Sequence, residues 1–312
     1  MKLTVASSPH IRGNFRTNRI MLDVCIALLP ALLIGVLRFG FRALLVTLIS
    51  VAAAVLSEWV FHKAAKTRNT VPDCSCIVTG LLLAMTLPPN VPYWMVPVGS
   101  AFAIIIVKCL FGGLGQNIFN PALAGRGFLM LLFPAGMTIY SAPDAVSSAT
   151  ALHHMAMNSL PEDSLLNSFI GNCAGSIGEI SAVALLAGGA YLVIRKVISP
   201  RIPLAYLGTV ALLSLLFHKT DAPLQWMLYS LLGGGVMLGA IFMATDYATS
   251  PVTAAGQIVY GLGCGVFTVL FRYYGLYPEG VTYAILLMNA LVWILDRYTL
   301  PRRFGTKKGD KV

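Results

Sequence analysis

The feature that most constrains this chain is a series of long apolar segments that recur between residues 21 and 295. A helix that crosses the hydrocarbon core of a bilayer needs about 20 predominantly apolar residues. Ten segments approach or reach this length, and the sequence therefore predicts an all-α polytopic membrane protein of about ten transmembrane helices. The predicted spans are residues 21–37, 43–61, 75–87, 93–111, 121–137, 178–197, 203–217, 224–245, 254–273 and 280–295.

Few charged residues separate these segments. Only 11% of the 312 residues are charged, whereas an ordinary soluble domain carries about 25%. A soluble fold of this size cannot cover its surface with so few charges, which excludes a cytosolic globular enzyme and makes the lipid bilayer the expected environment. The net charge of +10 does not indicate nucleic-acid binding, because the basic residues lie in short clusters between apolar runs.

The positions of Lys and Arg predict the orientation. With ten spans and an inner N-terminus, the predicted outer segments hold only four of the 22 Lys and Arg residues, namely Arg38, Arg42, Lys219 and Arg272. Because basic residues concentrate on the cytoplasmic side, both termini are expected in the cytoplasm. The polar N-terminal segment has no apolar stretch typical of a signal peptide.

The longest predicted outer loop divides the spans into five and five. An odd number of spans in each half gives the halves opposite orientations, and the short third span and the Pro-interrupted end of the eighth occupy corresponding places. This pattern is typical of two inverted five-helix repeats with broken helices, although ten helices without symmetry remain the alternative. The predicted organisation begins with a cytoplasmic N-terminal segment (1–20) and a first repeat (21–137). An extracytoplasmic loop (138–177), a second repeat (178–296) and a basic cytoplasmic tail (297–312) follow.

The outer loop contains an acid followed by small and hydroxyl side chains, from Asp144 to Thr150. The residues alone are compatible with an ordinary polar turn or with modification at a hydroxyl. The segment is similar to the acceptor motif of flavin transferases, Asp-x-x-(Ser/Thr)-Gly-Ala-Thr, whose final Thr receives FMN from FAD through a phosphoester bond. The match makes Thr150 the acceptor within a motif formed by Asp144, Ser147, Ser148 and Ala149. Ser148 stands where the motif has Gly, which leaves Ser147 and Ser148 as alternative hydroxyls.

Four further segments resemble the D subunit of the Rnf electron-transport complex. They are Ser-Ser-Pro-His-Ile-Arg at 7–12, the Gly- and Asn-rich run at 112–122, Ser-Ile-Gly-Glu at 176–179 and Asp-Tyr-Ala-Thr-Ser-Pro at 246–251. With the acceptor motif, the resemblance covers essentially the whole chain. The B subunit of the sodium-pumping NADH:quinone reductase shares many of these motifs but has a longer N-terminal extension, which favours the Rnf subunit.

The resemblance implies an electron carrier in an ion-translocating ferredoxin:NAD⁺ oxidoreductase of a bacterial or archaeal cell (inner) membrane. FMN on Thr150 would face the outside, and electron transfer would be coupled to export of Na⁺ or H⁺. By analogy with the quinone-reductase relative, a second, non-covalent flavin (riboflavin) is expected, with no residues assigned to it. The implied partners are the A, B, C, E and G subunits of the Rnf complex, a flavin transferase, and ferredoxin and NAD⁺ bound by partner subunits. The chain alone is therefore expected to be inactive.

Acids inside or at the edges of spans are the other candidates, because ionisable groups are costly in a membrane and often mark ion paths. Asp23, Glu58, Glu179, Asp246 and Asp296 are these acids. Most lie near span ends, where an interfacial role is favoured. His62 and Lys63 follow Glu58 by about one helical turn, which favours a local i,i+4 polar pair for this acid.

Asp246 lies beside the predicted break of the eighth span. Carbonyl and hydroxyl groups there could coordinate a hard cation, and Asp246 with Thr249 is the speculative site. No catalytic residue and no other metal site is assigned. The glycine run at 112–115 is interpreted as the end of one helix, with Asn117 or Asn120 capping the next; a docking role is the alternative.

Two other classes of function compete with a redox subunit. A solute channel or transporter can be built from the same inverted repeats without any redox role, and a structural scaffold for neighbouring subunits is the third alternative. The segment from Asp144 to Thr150 discriminates between them, because neither a channel nor a scaffold needs a flavin acceptor.

Overall fold

The computed structural model describes residues 17–138, 140, 150–161, 164–275 and 280–300, and helices joined by turns and loops make up these ranges. These ranges contain no β-strand, which confirms the all-α prediction. Four residues of the predicted acceptor motif, Asp144, Ser147, Ser148 and Ala149, lie outside the described residues, as do the segment 7–12 and the tail from 301.

Fourteen α-helices follow one another in the described ranges, and two of them continue as π-helices. They are α1 (Thr17–Phe39), α2 (Phe41–Ala64), α3 (Ser75–Thr86), α4 (Met95–Ala101, continued as a π-helix over Phe102–Cys109), α5 (Pro121–Leu132), α6 (Pro134–Met137), α7 (Ala151–Ala156), α8 (Leu165–Ile170), α9 (Ala182–Ile194), α10 (Arg201–Leu216), α11 (Pro223–Leu232), α12 (Val236–Leu238, continued as a π-helix over Gly239–Met243), α13 (Ala254–Tyr274) and α14 (Val281–Thr299).

Each of the ten predicted spans contains an apolar helix, but the helices differ in length. Among the described residues, α1, α2, α13 and α14 are each long and apolar enough to cross a bilayer. The pair α11 and α12 with its π-helix adds a fifth such span if it counts as one, although it is bent by 60°. The helices in the remaining predicted spans are shorter, between 10 and 17 residues.

The bend in the eighth predicted span lies earlier than its sequence suggests. The sequence places the break after residue 245, whereas the helix breaks at Gly233–Gly235 and its continuation ends at Met243. Gly234 and Gly235 adopt φ values of 63° and 69°, which L residues with a side chain rarely adopt. Three consecutive glycines therefore allow a sharp break that the later Pro251 does not produce.

Small residues let the long helices approach closely. α1 packs against α9, α2 against α3, and α10 against α13. A Cβ atom on Gly188 of α9 would overlap the carbonyl oxygen of Ala27 in α1, and one on Gly35 of α1 would overlap that of Ile177. Without Cβ atoms the backbones meet directly, as is common between membrane helices.

Large apolar side chains cover much of the outside of this bundle. Leu37, Phe41, Leu131 and Ile194 are each at least 70% exposed. An apolar exterior is stable in lipid and not in water, which agrees with a multi-pass membrane protein. Helix packing leaves two separate polar regions. We call them the Thr150 end, around Thr150 and Gly233–Gly235, and the Asp246 end, around Asn120 and Asp246.

Candidate functional site

Thr150 begins the short helix α7. Its hydroxyl oxygen accepts a hydrogen bond from the backbone N–H of His153 at 3.3 Å and so forms the N-cap. A capping Thr satisfies an N–H group that the first helical turn would leave unpaired. Buried Leu152 and Met155 anchor α7 to the bundle. The predicted acceptor is therefore fixed by packing, and its hydroxyl proton is not used in the capping bond.

The helix α7 rests on the break between α11 and α12. A Cβ on Gly234 would lie 2.8 Å from both the Leu152 side chain and a guanidinium nitrogen of Arg272. Arg272 donates to the carbonyl oxygens of Ser230, at 2.5 Å, and Gly233, at 2.8 Å. A helix end leaves such carbonyls without helical N–H partners. Arg272 therefore satisfies carbonyl groups at the break on which α7 rests.

A buried ion pair lies against the other side of this break. The Glu179 carboxylate accepts hydrogen bonds from Arg126 at 3.0 Å and from the Ser176 hydroxyl at 2.8 Å. A Cβ on Gly235 would overlap a Glu179 oxygen, so only glycine fits there. Because Arg126 belongs to α5 and Glu179 precedes α9, the pair joins the two predicted halves of the chain.

Two cavities flank α7. The first, which we call the Thr150 cavity, has a volume of about 30 Å³ and is lined by Thr150, Glu179, Tyr229 and Gly233, among others. This volume is close to that of one water molecule. It is too small for an aromatic ring, and its acidic wall belongs to the Arg126–Glu179 pair.

The second cavity, the Trp226 cavity, is larger, at about 160 Å³, and its lining includes Met155, Lys219, Trp226, Arg272 and Tyr273. The indole N–H of Trp226 donates to the Tyr273 hydroxyl at 2.8 Å, and that hydroxyl donates to a backbone carbonyl at 2.6 Å. The Lys219 ammonium lies 4.9 Å from the centre of the Tyr273 ring. The lining of the cavity therefore combines aromatic rings with cationic groups.

At the far end of the bent helix pair, a cleft of about 70 Å³ lies between the two halves and is lined by Ser75, Lys108, Asn120, Thr245 and Asp246, among others. We call it the Asp246 cleft. It contains the end of the broken eighth span and the beginning of α5. The same bent helix pair therefore contacts α7 at its break and this cleft at its far end.

Asn120 connects the two helix ends that form the Asp246 cleft. Its side chain caps α5 by accepting from two backbone N–H groups, at 3.1 and 3.3 Å, which confirms the predicted cap followed by Pro121. Its amide nitrogen donates to the carbonyl oxygen of Met243 at 3.2 Å. The buried amide of Asn289, in the orientation that satisfies both its ends, accepts from the Asn120 N–H at 3.1 Å and donates to the carbonyl oxygen of Thr249 at 3.1 Å.

The two residues of the predicted cation site lie in contact. The Thr249 hydroxyl donates to the Asp246 carboxylate at 3.2 Å. The neighbouring Thr245 hydroxyl instead donates to the carbonyl oxygen of Ile241 within its own helical turn, at 2.6 Å. Among the described residues, no group of three or more His, Cys, Asp or Glu side chains is arranged to hold a metal ion, and the six cysteines are free thiols.

Glu58 is buried, so the predicted local pair with the residues one turn later is wrong. It is 0% exposed and forms an ion pair with Lys108, 2.7 Å away on the π-helix that follows α4. Lys108 also donates to the Ser75 hydroxyl at 2.6 Å, and the Thr70 hydroxyl donates to the other Glu58 oxygen. Lys63 lies over the ring of Trp59 instead. Packing of α2 against the π-helix brings the acid and the amine together across 50 residues of sequence.

Asp23 and Asp296 agree better with the expectation of interfacial roles. Asp23 pairs with Arg195 at 3.2 Å, and the Arg195 side chain is 55% exposed. Asp296, near the end of α14, accepts from the backbone N–H of Val252 at 3.1 Å.

Sequence reasoning misses the two buried cations. Lys108 and Arg126 are among the basic residues from which the membrane orientation is predicted, yet their side chains are only 2% and 4% exposed. Each stands alone within an apolar run, whereas the topology-setting charges cluster. Because an isolated cation among apolar helical residues must find a buried partner, that isolation is the available signal.

The fold and these sites define a class: a polytopic helical membrane protein with ion pairs buried between its helices and polar cavities at both ends of a broken helix. The chain belongs to the family described as the NQR2, RnfD, RnfE family, whose model matches residues 4–305. This finding confirms the resemblance carried by the sequence motifs.

Curated relatives span the chain over almost its full length. It is 48% identical to the D subunit of the Na⁺-translocating ferredoxin:NAD⁺ oxidoreductase complex of Acetobacterium woodii, covering 100% of this chain and 98% of the relative. It is 43% identical to the D subunit of the proton-translocating ferredoxin:NAD⁺ oxidoreductase complex of Clostridium ljungdahlii, covering 98% and 97%. The D subunit of an ion-translocating oxidoreductase complex of Escherichia coli is 35% identical, covering 99% and 100%.

Proposed function

We propose that this chain is the membrane electron-carrier subunit of an ion-translocating ferredoxin:NAD⁺ oxidoreductase complex, with FMN bound covalently through a phosphoester to Thr150. The relatives named as D subunits of such complexes, similar over the whole chain, support the complex. The observation that carries the site is the placement of Thr150, the motif-matched acceptor, at the start of an anchored helix between two cavities.

The residues around Thr150 fit the attachment of a flavin phosphate. The Thr150 side chain is half-buried at a cavity wall, and its oxygen only accepts in the cap, so a phosphoester bond would not remove a donated hydrogen bond. FMN would supply electron transfer there, while the protein supplies position and electrostatics. Leu152 and Met155 hold the attachment helix against the bundle, and a covalent tether keeps the cofactor from being lost.

We further propose that the Thr150 end faces outside the cell membrane and both termini face the cytoplasm. The distribution of Lys and Arg supports this orientation. The organisation into an inner segment (1–20), two inverted repeats (21–137 and 178–296), the flavin-bearing loop (138–177) and a basic tail (297–312) belongs to the same proposal. The bent eighth span and the short third span support it.

Ion export is proposed to occur in the assembled complex, with Na⁺ or H⁺ as the exported ion. The Asp246 carboxylate and the Thr249 hydroxyl, in contact at the Asp246 cleft, are the proposed contacts for a hard cation. The A, B, C, E and G subunits, a flavin transferase, and ferredoxin and NAD⁺ held by partner subunits complete the proposal. A non-covalent riboflavin is proposed without assigned residues. The chain alone is expected to lack ferredoxin:NAD⁺ activity.

The test is in-gel flavin fluorescence of the denatured full-length chain after coproduction with a flavin transferase. The wild type should give a fluorescent band, and Thr150→Ala should abolish it. Ser164→Ala is a matched control, because Ser164 caps α8 through an equivalent bond, 3.2 Å to the backbone N–H of Asn167, outside the motif.

Each outcome discriminates between acceptors. A band that survives Thr150→Ala and disappears in Ser147→Ala or Ser148→Ala would move the attachment to that hydroxyl. A dark wild-type band, with a control acceptor labelled in the same cells, would refute the covalent flavin and favour a channel or scaffold.

A further inference from the structure

We propose that the Trp226 cavity is the site of the isoalloxazine ring of the flavin attached at Thr150. The inference rests on the proposed function, because it concerns where the ring system of that cofactor lies. Three observations carry it: the path from Thr150 to the cavity, the size of the cavity, and the chemistry of its walls.

The attachment helix runs from Thr150 into the wall of the cavity. Thr150 precedes α7, and Leu152, Met155 and Ala156 of the same helix line the Trp226 cavity. Six residues of helix span about 9 Å. The ribityl phosphate of FMN, a five-carbon chain and a phosphate, covers a similar distance. A flavin esterified at the start of α7 therefore reaches the cavity by lying along this helix.

Size favours this cavity over its neighbour. The Trp226 cavity has about 160 Å³, and a cavity of about 150 Å³ is known to admit a benzene ring. The Thr150 cavity, at about 30 Å³, admits only about one water molecule. The Trp226 cavity opens outward, because the exposed residues Ala156, Lys219 and Gly275 form part of its rim. One edge of the three-ring system can enter while the rest extends along α7.

The walls suit an aromatic ligand. Trp226 is 2% exposed and forms the buried back of the wall, while the half-buried Tyr273 packs against it. The Tyr273 hydroxyl is satisfied by the Trp226 N–H and by a backbone carbonyl, so the Tyr273 side chain offers an apolar ring surface. Met155 adds a polarisable thioether on the α7 side. Aromatic rings and methionine sulfur both pack favourably against a planar π-system.

The charges suit a cofactor that becomes more negative on reduction. Among the described lining residues, the charged side chains are the cations Lys219 and Arg272. The carboxylate at the neighbouring cavity, Glu179, is paired with Arg126, and exposed Asp221 follows Lys219 by two residues. Cations near the pyrimidine edge of a flavin stabilise the reduced form and raise its reduction potential.

The first test measures flavin fluorescence in the folded, detergent-purified chain relative to the same chain denatured. Electron-rich indole and phenol rings in contact with isoalloxazine quench its emission. Ala156→Leu, at an exposed position on the rim, should narrow the cavity without adding a quenching ring and so raise native fluorescence at least twofold. Trp226→Phe should raise it in the same direction. Trp59→Phe, on the exposed side of α2, is the matched control and should change nothing.

The second test measures the midpoint potential of the covalent flavin by redox titration. Lys219→Gln should weaken stabilisation of the reduced form about tenfold, equivalent to about 30 mV for a two-electron couple, with the band on the gel unchanged. Lys63→Gln is the matched control, because Lys63 also lies over an aromatic ring, 4.7 Å from its centre, but in α2.

The outcomes separate the two proposals. An unlabelled wild-type band would refute the covalent flavin and the ring site with it. A labelled chain whose native fluorescence and midpoint potential are the same in wild type, Ala156→Leu, Trp226→Phe and Lys219→Gln would refute the ring site alone.

Discussion

Removal of one partner of the Glu58–Lys108 pair should destabilise the protein far more than removal of both. The two groups lie 2.7 Å apart with side chains 0% and 2% exposed. At an effective dielectric constant of 20, unit charges at this distance attract by about 6 kcal/mol. Desolvation of the two ions offsets much of this attraction, whereas an unpaired charge left between the helices keeps the whole penalty.

We therefore expect Lys108→Met to cost about 3–5 kcal/mol, because the Glu58 carboxylate would lose its ammonium partner inside the bundle. The double variant Glu58→Gln with Lys108→Met should recover most of this loss. The hydroxyl of Thr70 can still bond the neutral amide introduced at position 58, and no buried ion remains.

The assay is reversible unfolding of the detergent-solubilised chain in increasing SDS, followed by circular dichroism, for the wild type, both single variants and the double variant. Asp23→Asn is the control, because its partner Arg195 is 55% exposed and exposed pairs contribute at most about 1 kcal/mol. A loss for Lys108→Met no larger than that for Asp23→Asn would refute the reasoning. So would single losses that simply add in the double variant.

Two further predictions concern the ends of the broken span. Gly235→Ala should lower the free energy of unfolding by more than about 1 kcal/mol and reduce flavin labelling, because the new Cβ overlaps the Glu179 carboxylate. Gly113→Ala is the control in the same denaturation assay: its φ is 94° but the space around it is open, so only backbone strain should be seen. Asn120→Ala should cost about 0.5–2 kcal/mol through loss of the α5 cap. Asn120→Ser should cost less, because a serine oxygen keeps the cap and only the amide donation to Met243 is lost; equal losses for both would contradict this.

The bent span between α11 and the π-helix after α12 joins the two regions on which the proposals rest. Its break at Gly233–Gly235 supports α7 and contacts Glu179, and its far end at Met243 accepts a hydrogen bond from Asn120. The carbonyl groups exposed by a broken helix are tolerated in a membrane only where protein groups satisfy them. Here Arg272 satisfies such carbonyl groups at the break, and Asn120 satisfies the one of Met243 at the far end of the span.

The local features of the fold can be read from the sequence because they depend on neighbours in the chain. The ten apolar runs each contain a helix, and the Asn120 cap followed by Pro121 is predicted correctly. The motif match locates Thr150 from contiguous residues alone. The break at Gly233–Gly235 is missed because the sequence interpretation gives weight to Pro251 and not to three consecutive glycines.

The charges inside the bundle are assigned wrongly for a different reason. Glu58 and Lys108 are 50 residues apart, and Arg126 and Glu179 are 53 residues apart. The isolation of the two cations within apolar runs signals their burial, but no local feature identifies their acidic partners. Only the close packing of helices around α2, α5 and the start of α9 shows that these groups are buried and paired.

The sequence by itself determined the membrane environment, the helical class, the family and the acceptor motif, because hydrophobicity, capping and motif spacing are properties of contiguous residues. The tertiary structure decided that the helix beginning at Thr150 lines an aromatic and cationic cavity, that α7 rests on the Gly233–Gly235 break, and that the isolated cations form buried ion pairs. These features depend on the distance and desolvation between side chains far apart in sequence, and those are set only when the helices pack.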